Sequence, residues 1–135
     1  MDPVSITATI ISLATFGFKV ASFVEQLITE SPAIEIEALL HDLQALCTVL
    51  TRLQTFSTPT LEDILPPQLL EDLAPILESC MDLFQKTNGM VMKMGRGGLT
   101  GRMRWMSKER EVTKLRGAMV EHKLTLNMTF TVASW

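Results

Sequence analysis

The chain has 135 residues, enough for one domain around one modest core. Apolar residues make up 47% of it and charged residues 20%, which excludes a disordered chain, and with no Tyr the core must be filled by Leu, Met, Ile, Val and Ala, which favours helix over strand. The net charge of −3 hides a division: residues 1–85 hold twelve acids and two bases, and residues 86–135 hold ten bases and three acids. That asymmetry reads either as basic and acidic helices packed side by side or as a basic surface for anionic lipid or an acidic partner.

The first helix is expected over about 3–29. Asp2 is a good N-cap and Pro3 suits the first helical position, where no donor is needed. Val4, Ile6, Ile10, Ile11, Leu13, Ala14, Phe16 and Phe18 then run almost all round it. A helix apolar on every side is either central to a bundle or meant for lipid. Its uncharged run, Pro3 to Phe18, is sixteen residues, short of the roughly 20 that span a bilayer. The start lacks the basic segment of a secretory signal, and Asp2 stands where myristoylation needs Gly. Gly17 costs about 1 kcal/mol against Ala, and points to close packing or a kink.

Ser31-Pro32 repeats the start signal, and Ile36, Leu39, Leu43, Leu46, Leu50 and Leu53 alternate by three and four. This heptad seam predicts a second helix over 32–56, packed knobs-into-holes in an antiparallel bundle. Thr60 with Asp63 resembles a capping box for a short turn or a fifth short helix. A third helix is expected over 67–88, with Leu70, Leu73, Leu77, Cys80 and Phe84 inward, Pro75 kinking or splitting it, and Asn88-Gly89 stopping it. Residues 89–101, with Gly95, Gly97, Gly98 and Gly101, read as a flexible basic loop carrying Lys93 and Arg96, followed by Arg102 and Arg104. The last helix is expected over 105–133, with Val112, Leu115, Met119, His122, Leu126 and Phe130 inward. Its pattern runs almost to Trp135, which suggests a domain excised from a longer parent protein. The fold expected is all-α: a four-helix up-down bundle, with room for a short fifth helix.

No residue set supports catalysis, and no cofactor or metal is implied. His41 and His122 fall on different helices, and a lone His on a seam is more often a hydrogen-bonded core residue than a metal ligand. Cys47 and Cys80 form no metal-binding spacing and read as small buried hydrophobes in a reduced, cytoplasmic protein. Pairs such as Glu35/Glu37 and Glu62/Asp63 suit exposed helix starts. GRGGLTGR resembles a phosphate loop only superficially, since no strand precedes it and the Lys-Ser/Thr end is missing. An acidic chain without interleaved aromatics does not suit nucleic acid. Lys93, Arg96, Arg102, Arg104 and Lys108 instead suit anionic lipid or a partner, against the bland reading of a solvated linker.

The opening MDPVSITATIISLATFGFKVASFV, the leucine-rich second helix and the late WMSKEREVTKLRGAMVEHKLTLNMTFTVAS together resemble the fungal N-terminal domain of STAND and NOD-like receptor proteins. Asp2, Pro3, Trp105, Leu115, His122, Lys123, Leu126 and Asn127 carry the likeness, which covers nearly the whole chain. That family is similar to HeLo and HeLo-like domains and, more distantly, to the four-helix domain of the mixed-lineage kinase-like pseudokinase. The resemblance implies an innate-immunity executor of programmed cell death. It would rest in the cytoplasm until a NACHT-type or amyloid-motif region of the parent protein oligomerises it, and would then permeabilise the plasma membrane. Val4, Ile6, Ile10, Ile11, Leu13, Phe16 and Phe18 would be the inserting residues, and a charge at Ile11 would abolish leakage. The alternative is an interaction adaptor with no membrane step, pairing like bundles through an apolar groove.

Overall fold

The computed structural model describes residues 3–30, 34–56, 67–96 and 101–133, all of them helical. Helix α1 is Pro3–Glu30, α2 Ile34–Phe56, α3 Pro67–Arg96 and α4 Gly101–Ala133. The described residues form an all-α four-helix bundle, as the periodicity predicts. The short element expected near Thr60 and Asp63 lies outside the described residues.

Three residues join α1 to α2 and four join α3 to α4, so each pair folds back as an antiparallel hairpin. Helix α1 packs on α2 and α3, and α4 packs on the same two. Helices α1 and α4 therefore stand at opposite corners of the bundle. The seam of α2 serves both neighbours: Ile36, Leu39, Leu43, Leu46, Leu50 and Leu53 are all completely buried. Truncating such a leucine to alanine costs about 2–5 kcal/mol. One ion pair ties α2 to α4, where Arg116 Nε donates to Asp42 Oδ2 at 2.8 Å.

Two expectations are corrected here. Helix α3 does not stop at Asn88-Gly89 but runs on to Arg96, and α4 begins at Gly101 and not near Trp105. The stretch expected to be a loop over 89–101 is thus mostly helix. The reason is burial. Met90, Val91 and Met94 continue the inward face of Leu77, Cys80, Phe84 and Thr87, and burying each large apolar side chain contributes about 1.5–3 kcal/mol. That outweighs the roughly 1 kcal/mol that Gly89 costs in a helix interior. Thr87 is itself buried because its hydroxyl donates to the Leu83 carbonyl at 2.8 Å. Pro75 does not split α3. It lies on an exposed face, where the carbonyl it leaves without an amide donor can bond to water.

Both cysteines are free and buried, as expected. Burial pushes the Cys47 thiol from 9.0 up to about 12, and burial together with nearby Cys47 does the same to Cys80. In the unfolded chain both thiols ionise near pH 9, whereas in the bundle they stay neutral. The stability this contributes is complete below about pH 9 and is lost as pH rises towards about 12. Urea unfolding across that range is expected to show a steeper decline for the native chain than for a Cys47→Ala/Cys80→Ala variant. Equal slopes would mean that the thiols are not desolvated.

Candidate functional site

Of the seven residues expected to insert into a membrane, the six with described side chains are divided between the buried and the outward sides of α1. Ile6, Ile10 and Leu13 lie in the core, in line with Gly17, Val20, Val24 and Leu27. Phe16 is half-buried, and its ring stacks on Phe84 of α3 with centroids 6.4 Å apart and planes 10° apart. Ile11 and Phe18 point outward, 42% and 47% exposed. The side chain of Val4 lies outside the described residues.

Gly17 marks the tightest approach of α1 to its neighbours. A Cβ there would come 2.5 Å from Cys47 Sγ and 3.0 Å from the Phe84 ring. The expected close packing is therefore real: absence of a side chain lets α1 sink between α2 and α3.

The outer face of α1 runs through Ala8, Ile11, Ser12, Thr15 and Phe18 without a charge, the first being Lys19. Thr15 is exposed, yet its hydroxyl donates to the Ile11 carbonyl at 2.9 Å. Among the described residues, one helix is long and apolar enough to cross a membrane, over Ala8–Glu30, and 39% of its most apolar window is buried. The same composition serves a core helix of a soluble bundle.

With α3 ending at Arg96 and α4 starting at Gly101, the cations Lys93, Arg96, Arg102, Arg104 and Lys108 share the end of the bundle where this hairpin turns. Lys93 is exposed, and Lys108 is half-buried with Nζ 3.5 Å from Glu111. The side chains of Arg96, Arg102 and Arg104 lie outside the described residues. Arg102 and Arg104 occupy the first turn of α4, which holds no acid. Cations in a first helical turn oppose the macrodipole, at about 0.3–1 kcal/mol each.

His41 is exposed and His122 half-buried, lining a groove of about 710 Å³ between α3 and α4 with Glu78, Asp82 and Lys114. No group of three metal-ligating side chains occurs among the described residues. Sequence reading missed one surface. Val120, Leu124 and Met128, spaced by four on α4, are 38%, 57% and 71% exposed. The signal was present as a second apolar periodicity, offset from the inward Leu115, Met119 and Leu126. No family model, curated protein or solved structure matches the chain.

Proposed function

We propose that the chain is a HeLo-like effector domain that, once oligomerised, docks on anionic membrane and permeabilises it through α1, causing regulated cell death. The observation that carries this reading is the charge-free stretch of α1. From Pro3 to Phe18 no residue is charged, although part of that stretch faces water. An ordinary bundle helix keeps its charges on the solvent face.

Sixteen residues make about 24 Å of helix, short of a hydrocarbon core of about 30 Å. The span lengthens if Lys19 snorkels and Val20 to Val24 follow. Insertion requires Ile6, Ile10 and Leu13 to leave the core, at about 1.5–3 kcal/mol each, which lipid restores. The other three helices stay joined, because α4 packs on both α2 and α3. The basic hairpin end supplies the docking surface, at about 1 kcal/mol per cation near anionic lipid. The domain then acts from the cytoplasm on the plasma membrane, driven by a NACHT-type or amyloid-motif region of a parent protein. A second reading, an adaptor that pairs bundles and leaves membranes intact, draws on the exposed stripe of α4.

Dye release from liposomes tests the first reading. Ser12 is exposed in the middle of the uncharged run, so Ser12→Lys leaves the bundle folded but adds about 2.5–3.5 kcal/mol to insertion. Leakage is expected from anionic vesicles, weakly or not at all from neutral ones, and is lost in Ser12→Lys. Leakage unchanged in a helical Ser12→Lys protein would remove α1 as the inserting element. Assembled protein that leaves vesicles intact would favour the adaptor.

A further inference from the structure

The outer faces of α1 and α4 carry matching patterns that run in opposite directions. Along α1, Ile11, Phe18 and Glu25 are exposed at intervals of seven residues. Along α4, Arg110, Gly117 and Leu124 are exposed at the same interval. Two helices laid antiparallel with Phe18 over Gly117 put Ile11 beside Leu124 and Glu25 beside Arg110. An apolar end meets an apolar end, an acid meets a base, and an aromatic knob meets a residue with no side chain. A Cβ on Gly117 would meet nothing within 4 Å, so the space above it is open. Val120 and Met128 widen the apolar end of the α4 face. Lys19 falls beside the seam between Lys114 and Glu121, where the glutamate offsets the like charge.

These faces cannot meet within one chain, because α1 and α4 stand at opposite corners. We propose that the outer face of α1 docks on the outer face of α4 of a second copy, antiparallel and in this register. A contact between two different faces of the same molecule is heterologous: a joined pair keeps one free α1 face on one copy and one free α4 face on the other, so assembly proceeds head to tail into rings or filaments. The inference deepens the executor reading and rests on it for the role of assembly, while the contact itself needs no membrane.

The test is sedimentation velocity of the 135-residue chain without lipid. The native chain is expected to associate with rising concentration. Glu25→Arg or Arg110→Glu alone is expected to weaken association about tenfold, and the two together to restore it. Glu25 also accepts a hydrogen bond from Gln44 at 3.1 Å, so Gly117→Gln provides a control for folding. Replacing an exposed helical glycine raises Tm, whereas filling the space over Gly117 excludes Phe18 and lowers association. Phe18→Glu and Leu124→Glu chains are each expected to be monomeric alone and to form a one-to-one heterodimer when mixed, since one retains its α4 face and the other its α1 face. A native chain that stays monomeric to its solubility limit, a charge swap that does not recover, or a mixture that stays monomeric each overturns the proposal. Ser12 lies beside the seam, so Ser12→Lys is expected to assemble normally. Loss of leakage with assembly intact then bears on α1 insertion, and loss of assembly bears on this contact.

Discussion

Phe84→Ala is expected to lower the unfolding free energy by about 3–5 kcal/mol, a large part of the 5–15 kcal/mol typical of a domain. Phe84 is completely buried and is the bulkiest side chain so enclosed among the described residues. Its ring touches α1 twice, stacking on Phe16 and covering the bare backbone at Gly17. Alanine removes the transfer energy of the ring and leaves a cavity between α1 and α3 that backbone at this depth closes only in part. Urea unfolding followed by circular dichroism is expected to show a lower midpoint with an unchanged slope. A loss below about 1 kcal/mol would mean that α1 and α3 do not pack through this ring.

At Gly17 the expected effect is smaller, and its sign is set by competition. Alanine gains about 1 kcal/mol of helix propensity there but places a Cβ 2.5 Å from Cys47 Sγ. Overpacking of a filled core costs about 1–3 kcal/mol, so Gly17→Ala is expected to destabilise on balance and Gly17→Val to do so more. The sulfur is the obstacle, so Cys47→Ala is expected to be better tolerated in the Gly17→Ala background than in the native one. A double-mutant cycle is expected to give a favourable coupling of about 1 kcal/mol or more. Simple additivity would show that the helices separate rather than that the sulfur resists. On the executor reading, Gly17→Ala also loosens α1 from its seat, and leakage is expected to need less protein than in the native chain.

The elements were legible where periodicity was unbroken. The seam from Ile36 to Leu53 could be read residue by residue, because six completely buried side chains at intervals of three and four leave one way to face a core. Asn88-Gly89 misled for a local reason. Two residues that commonly end helices sit inside one whose next two turns bury Met90, Val91 and Met94. Tertiary burial decided the issue, and no signal within a few residues of the glycine reports it. The candidate site was legible in composition but not in geometry. The absence of charge from Pro3 to Phe18 is visible at once, whereas its partition into a buried stripe and an exposed one depends on which corner of the bundle α1 occupies. The relation of α1 to α4 is further from view, since it follows from the pairing of all four helices.

The hydroxyl of Thr15 has a consequence for the medium that α1 can tolerate. A serine or threonine side chain in water ordinarily exchanges bonds with the solvent and pays for losing them on transfer to hydrocarbon. Thr15 donates to the carbonyl one turn back on its own helix, so its donor is satisfied by an atom that travels with it. The polarity of Thr15 is thus internal to the helix. The bond is the same whether water, protein or hydrocarbon lies against it, so the preference of this face among such media is set by the apolar Ile11 and Phe18.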